Sequence, residues 1–215
     1  ASVKVISAAQ TEGSGIVVAK NSEIQSVSDL AGKKIATPGD ASIQHMLLKY
    51  YLKENGMSID DLKVSAMKVP SMNDALKTNR IDGMITFEPY VTIAEENGAR
   101  VLVNSSEILP NHPCCVVVAS DDFIKNHENE TKTILEIHEN ATAFVNNNTD
   151  EAAGLLPADI VKDVEVEKKA LKGFPLISGL NDTYKKDVMD FMNLEVDLGV
   201  LKKPISEDKI FWHDN

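Results

Sequence analysis

Strands and helices alternate in the hydrophobic pattern of residues 33–103. An apolar strand at 33–37 leads through Pro38-Gly39 into residues 42–55, where apolar side chains recur at helical spacing. Further strands are predicted at 62–69, 81–87 and 100–103, with helices beginning near Ser71 and Tyr90. Such alternation is typical of right-handed crossover units around a mainly parallel sheet. The pattern therefore predicts a small α/β lobe.

The pattern differs on both sides of this lobe. Short strands are predicted at 3–6 and 16–19, and a buried strand at 114–119. The rest of the chain has helical patterns at 123–148, 150–156, 165–171 and 181–194, with a tail near Ile210. We therefore predict two unequal lobes, joined near residues 16–20 and 114–119. One is a complete α/β lobe over 20–110, and the other is a partial, helix-rich lobe formed by 1–19 and 111–215.

Composition narrows the functional class. The 215 residues include 22 Lys and Arg against 33 Asp and Glu, a net charge of -11, which disfavours binding to nucleic acid or anionic membrane. Hydrophobic residues make up 43% of the chain, enough for real cores, yet they form no run that could cross a bilayer. The first ten residues also lack the features of a secretory signal.

The first candidate site is the turn from Thr37 to Ser42, between a strand end and a helix start. Ligands of open α/β sheets bind outside the carboxyl ends of strands, and free N–H groups at a helix N-terminus suit an anion or a polar head group. Gly39 supplies backbone freedom there, and the Ser42 hydroxyl supplies a polar contact. The alternative is that Ser42 only caps the helix.

The second candidate is Phe87-Glu88-Pro89-Tyr90, at another strand-to-helix junction. The residue before proline is held extended, so Glu88 can accept hydrogen bonds from a ligand that carries N–H groups. Alternatively, Glu88 is a helix N-terminal acid stabilised by the helix dipole. Tyr90 and Phe87 could supply stacking surface, although core packing suits Phe87 better.

The third candidate is the polar turn at Asn111 and His112, which leads into Cys114 and Cys115. The remaining histidines have no paired ligand spacing and no Cys-x-x-Cys motif occurs, so no metal site is predicted. Adjacent cysteines on a strand are expected on opposite faces, with at least one of them buried and inert. The common phosphate-loop, dinucleotide and nucleophile-elbow motifs are missing, so no cofactor and no catalytic residue is predicted.

Several short motifs resemble the solute-binding proteins of ABC importers, in the group that serves sulfonates, nitrate or bicarbonate, and thiamine-pyrimidine precursors. They follow the family's order: Asp29–Gly39 with Ser42, Asp74-Ala75-Leu76 before Ile81-Asp82-Gly83, Phe87–Tyr90, Asn111–Cys115, and Gly199–Ile205. This resemblance implies a type II periplasmic-binding-protein fold of Venus-flytrap architecture, with the ligand enclosed between two lobes. It marks Ser42 as a contact to an oxyanion or polar head and Glu88 as part of a cleft motif, in which Phe87 replaces the usual tryptophan.

The resemblance also implies that Ser14, Asn111 and His112 line the cleft. The expected function is an extracytoplasmic receptor, periplasmic or extracellular, that delivers a small polar or anionic solute to a membrane permease. Alternatives are an enzyme related to thiamine-pyrimidine synthases, for which His112 and the cysteines would matter, and the input domain of a sensor.

One departure from the family is large, because its members begin with a half-lobe that precedes the first residue of this chain. The expectation is a fragment, a lobe completed by another chain, or a reduced homologue, with any membrane attachment through a segment outside the chain. An incomplete lobe would expose a sheet edge, so we expect self-association and poor ligand binding.

Overall fold

The structure, a computed structural model, describes residues 2–157 and 162–213. Within them the strands are β1 Val3–Thr11, β2 Ser14–Ala19, β3 Lys34–Thr37, β4 Lys63–Ala66, β5 Gly83–Phe87, β6 Ala99–Asn104 and β7 Pro113–Ser120. The helices are α1 Ile43–Glu54, α2 Val69–Lys77, α3 Tyr90–Glu96, α4 Ser105–Ile108, α5 Asp121–Asn126, α6 Glu128–Asn147, α7 Thr149–Leu155, α8 Val164–Ala170, α9 Asp182–Asp197 and α10 Glu207–Ile210. The chain divides into two compact units, one built from residues 13–110 and 163–173, which we call the sheet unit, and one from the remainder, which we call the helical unit.

The sheet unit contains five strands in the order β4-β3-β5-β2-β6. β3 pairs in parallel with β4 and β5, as the crossover pattern predicts, whereas β2 is antiparallel to both β5 and β6. One face of the sheet, including Val17, Ala36 and Met84, packs against α2 and α3 in a fully buried cluster. The predicted α/β fold class is confirmed.

Local sequence signals place the helices of this unit. The Ser42 hydroxyl caps α1 by accepting a hydrogen bond from the backbone N–H of His45 at 3.1 Å. The prediction that a strand runs to Val69 and a helix begins near Ser71 was wrong by a few residues. The strand ends at Ala66 and α2 begins at Val69, where Pro70 in the first turn is favourable because it has no N–H to leave unpaired.

The predicted lobe boundaries need two corrections. Residues 14–19 were assigned to the helix-rich lobe, but β2 lies between β5 and β6, with Ile16, Val17 and Val18 completely buried. The sheet is therefore not complete within residues 20–110. Residues 163–173, also assigned to the helix-rich lobe, belong to the sheet unit, where Lys169 on α8 forms a salt bridge with Glu96 on α3.

The helical unit is organised around an antiparallel ribbon of β1 and β7. Two further segments pair with β1. In the loop after α8, the Ile177 N–H donates to the Ala9 carbonyl at 3.0 Å. After α10, the Trp212 N–H donates to the Val5 carbonyl at 2.9 Å. The single helix predicted at 123–148 is interrupted at His127, which separates α5 from α6. Among the helices of the described residues, none is both long and apolar enough to cross a membrane.

Candidate functional site

Polar groups of the sheet unit collect at the edge where β3 and β5 end and β2 begins. Because β2 is antiparallel to β5, its first residue, Ser14, lies opposite Phe87, the last residue of β5. The Glu88 N–H donates to the Gly13 carbonyl at 2.9 Å, which ties the residues after β5 to those before β2. We call this region, comprising Ser14, Thr37, Gly39, Ser42, Gln44, Glu88 and Tyr90, the carboxyl edge.

Ser14 is 4% exposed and has two side-chain partners. Its hydroxyl accepts a hydrogen bond from Gln44 Nε2 at 3.0 Å, and its backbone N–H donates to Ser105 Oγ at 3.0 Å. Gln44 and Ser105 did not emerge from the sequence. Gln44 is a buried polar residue on the inner face of α1, a position that the apolar spacing of that helix does not mark.

Gly39 and Ser42 form the turn between β3 and α1. Gly39 has φ +142°, a conformation that L side chains rarely adopt, and its carbonyl accepts a hydrogen bond from the Ser42 hydroxyl at 2.7 Å. The Ser42 hydroxyl thus serves the capping role considered as its alternative. The backbone N–H groups at the start of α1 have no partner within the helix, and α1 is long enough for its dipole to favour an anion there.

Two buried threonines lie at or near the carboxyl ends of β3 and β5. Thr37 ends β3 and Thr86 lies near the end of β5, and both residues are completely buried. Neither hydroxyl oxygen has a hydrogen-bond partner among the described residues. Buried hydroxyls are normally satisfied, so a polar group is expected to pair with them.

Glu88 points back toward its own helix. Its Oε2 accepts a hydrogen bond from the Thr92 backbone N–H at 3.0 Å, as expected of an acid at the N-terminus of α3. Burial raises the pKa of Glu88, an effect that the hydrogen bonds from Thr92 partly offset. Tyr90, the first residue of α3, places its ring edge-on to Phe87 with ring centroids 5.9 Å apart.

Asn111 and His112 belong to the helical unit, at the point where the chain returns to it. Asn111 is exposed with φ +60°, and its backbone N–H donates to Glu12 Oε1 at 2.7 Å. His112 is 2% exposed and stacks on Phe191, and its Nε2 has no hydrogen-bond partner among the described residues. Burial lowers the pKa of His112, so the ring is a neutral group at physiological pH.

Cys114 and Cys115 contradict the expectation of opposite faces. Their sulfur atoms lie 3.9 Å apart, and neither residue is fully buried, since Cys115 is exposed and Cys114 is partly exposed. The cause lies in the pairing of β7 with β1, where Cys115 is opposite Gln10 but Pro113 is opposite Thr11, so Cys114 is an extra residue in the ribbon. Such a bulge re-aims the side chains beside it.

No cluster of three or more His, Cys, Asp or Glu side chains in the described part of the chain could hold a metal ion. The carboxyl edge instead offers hydroxyl, amide and backbone N–H groups around a helix N-terminus, with the carboxylates of Glu88 and the exposed Asp40 nearby. That set can hold a small polar or anionic molecule through hydrogen bonds.

Comparison with known proteins identifies the type of fold. The profile of the NMT1-like family matches residues 1–156. In sequence, the chain is 27% identical over 197 residues to the "Putative aliphatic sulfonates-binding protein" of Bacillus subtilis, covering 91% of this chain and 58% of the relative. The chain thus spans less than two thirds of that protein.

Comparison with solved structures identifies the same type of fold. The periplasmic aliphatic sulphonate binding protein SsuA from Escherichia coli superposes with a TM-score of 0.84 at 20% identity, covering all of this chain and 70% of SsuA. The alkanesulfonate-binding protein SsuA from Xanthomonas axonopodis, solved with MOPS, gives a TM-score of 0.85 at 18% identity, covering 98% of this chain and 74% of that one. The desulfurization enzyme DSZB shares the fold as well, with a TM-score of 0.75 at 13% identity, covering 97% of this chain and 76% of the enzyme.

Proposed function

Because the chain belongs to the NMT1-like family, we propose that it is a solute-binding protein that captures a small polar or anionic molecule for an ABC importer. The observation that carries the proposal is the set of unpaired polar groups at the carboxyl edge: the Thr37 hydroxyl, at the end of the strand that leads into α1, and the backbone N–H groups at the start of that helix. Both Ser14 and Ser42 are held in place there by hydrogen bonds of their own.

We propose sulfonates as the ligand class. A sulfonate presents three acceptor oxygens, which match hydroxyl and backbone N–H donors, and the sulphonate-binding relatives support the choice. The -11 net charge does not oppose it, since a helix N-terminus attracts an anion locally.

Isothermal titration calorimetry of the 215-residue chain tests this proposal. The panel contains an alkanesulfonate, an aminosulfonate, nitrate, and a neutral pyrimidine as a control for apolar stacking. Weak but saturable binding of the sulfonates, with one site per chain, is the expected result, because the incomplete lobe is expected to bind ligand poorly. Tight binding of the pyrimidine alone would show that the ligand is a pyrimidine and not a sulfonate. The absence of binding by every member of the panel would contradict the proposal that the chain binds a small polar or anionic solute.

The partners follow from the same proposal. A receptor of this class works outside the cytoplasm, in the periplasm or at the cell surface, and hands its solute to a membrane permease.

We also propose that a second copy of the chain pairs with the β1–β7 ribbon. Val3 and Val118 are 49% and 51% exposed. The outer edge of β1 is already hydrogen-bonded to residues 175–179 and to Trp212, so the edge available to a second copy is that of β7, whose one strand partner among the described residues is β1.

The proposal includes no catalytic step, although one enzyme shares the fold. A receptor releases its ligand unchanged, whereas a desulfurizing enzyme breaks a carbon–sulfur bond. Mass spectrometry of a sulfonate after prolonged incubation with the protein separates the two. Release of inorganic sulfite would show that the chain is an enzyme.

A further inference from the structure

Cys114 and Cys115 form a thiol pair that the solute-binding role does not use. They are the second and third residues of β7, and the bulge at Cys114 brings their sulfur atoms to 3.9 Å. Cys115 is exposed and Cys114 is partly exposed, so the pair lies at the surface of the protein.

The surroundings of the pair favour one negative charge. Sharing of a proton between the sulfurs lowers the pKa of Cys115 to about 7, while the same contact, together with burial, raises the pKa of Cys114. The Tyr184 hydroxyl lies against the strand here, 3.5 Å from the Cys115 carbonyl, and is a neutral phenol because its pKa is raised to about 12. At neutral pH a thiolate is therefore available beside a thiol.

A disulfide is an unfavourable product of this pair. Disulfides usually join Cα atoms ~4.4–6.8 Å apart, but neighbouring residues across a trans peptide have Cα atoms only ~3.8 Å apart. The sulfurs would also have to approach from 3.9 Å to ~2.05 Å within a paired strand. A strained bond of this kind is easily reduced, which favours the dithiol.

A single bridging ion fits the pair much better. Two metal–sulfur bonds of ~2.3 Å span at most ~4.6 Å, so one ion can touch both sulfurs at their present separation. The described residues contain no group of three or more His, Cys, Asp or Glu side chains to complete the four-coordinate site that zinc prefers. Thiolates select soft ions, and a soft monovalent ion accepts a low coordination number.

We propose that Cys114 and Cys115 form a two-thiolate binding site for one soft monovalent cation, with Cu(I) as the natural example. On binding to the thiolate–thiol pair, the Cys114 S–H bond breaks, two sulfur–copper bonds form and one proton leaves to solvent, while copper remains Cu(I). This proposal rests on the geometry of β7 and does not depend on which solute the protein binds.

Competition with a coloured Cu(I) chelator, bicinchoninate, under anaerobic conditions tests the site on the reduced 215-residue chain. We expect one Cu(I) per chain, bound at least ~100-fold more weakly in Cys114→Ser and in Cys115→Ser, because each variant loses the second, intramolecular contact. Val118→Ser, which places a hydroxyl at an exposed position of the same strand, is the matched control and should retain the affinity of the unmodified chain. Circular dichroism checks that all three variants fold.

Phenylarsine oxide supplies an independent measurement of the pair. Its arsenic condenses with two thiols, forming two arsenic–sulfur bonds and releasing one water, so the protein should gain one stable adduct that neither single-cysteine variant forms. Three results would each overturn the proposal: affinity for Cu(I) within about threefold in either single-cysteine variant, no arsenical adduct, or loss of both thiols to a disulfide in place of copper uptake.

Discussion

The carboxylate of Glu88 is the partly buried acidic group of the carboxyl edge, whereas Asp40 in the turn before Ser42 is exposed, and we expect Glu88 to decide which ligands that edge can distinguish. An ionised carboxylate only accepts hydrogen bonds, so we expect an aminosulfonate to bind more tightly than a plain alkanesulfonate of equal length. Glu88→Gln should remove most of that difference in affinity. Glu23→Gln, at an exposed position that is not part of the carboxyl edge, is the control and should retain the difference. Calorimetry with both ligands measures the effect, and an equal preference in the Glu88→Gln variant and the unmodified protein would exclude Glu88 from ligand recognition.

Glu88 also makes stability depend on pH. Its pKa is raised by burial, so the folded chain holds the proton more tightly than the unfolded chain, and stability falls as pH rises through the raised value. Glu88→Gln retains an oxygen for the Thr92 N–H but has no charge to bury. We expect the variant to be more stable than the unmodified protein near pH 7 and equally stable near pH 4, below the ordinary glutamate pKa. Urea denaturation at both pH values measures this, and an equal difference at both would contradict it.

At the scale of single elements, α1 depends on its first turn. Ser42→Ala removes the acceptor for the His45 N–H and should destabilise the protein by about 1 kcal/mol. If Ser42 also contacts the ligand, binding should weaken by about 1–2 kcal/mol. Ser42→Asn retains a capping oxygen and should restore stability without restoring affinity. Unchanged affinity in a folded Ser42→Ala variant would leave Ser42 as a helix cap alone.

The packing of β5, the central strand of the five-stranded sheet, requires a glycine at position 83. A Cβ atom at Gly83 would lie 3.1 Å from Ile35 Cδ1 and 3.2 Å from the Val17 carbonyl oxygen, so Gly83→Ala should cost about 1–3 kcal/mol through overpacking. Gly15→Ala is the control, since its Cβ would meet nothing nearer than 3.6 Å. Thermal unfolding compares the two variants, and equal destabilisation would show that crowding at β5 is not the cause.

Most helices and strands could be predicted from the sequence because apolar spacing is a local property. The position of β2 could not, since Ile16–Val18 reads as a buried strand whether it joins one lobe or the other, and its partners are more than sixty residues away. The same limit applies to the site. Ser42 and Glu88 stand beside recognisable turns, whereas the bond from Gln44 to Ser14 and the bulge at Cys114 arise only from tertiary pairing.

At the scale of the whole molecule, the exposed ribbon determines how copies of the chain interact. We expect the chain to self-associate, and light scattering after size-exclusion chromatography should give a mass above 23.5 kDa that rises with concentration. Val118→Lys puts a charge on the exposed face and should shift the protein toward the monomer. Ile137→Lys, at an exposed position on α6, is the control and should leave association unchanged. A monomer at all concentrations would exclude pairing through the ribbon.

The central position of β2 also bears on how the protein is made. A ribosome completes β2 first among the strands of its sheet, yet both strands that flank β2 are synthesised much later. Until β5 emerges, the nascent chain carries Ile16, Val17 and Val18 without the neighbours that bury them. The sheet therefore cannot assemble strand by strand during translation, and this short apolar segment is the part of the newborn chain that a holding chaperone would recognise.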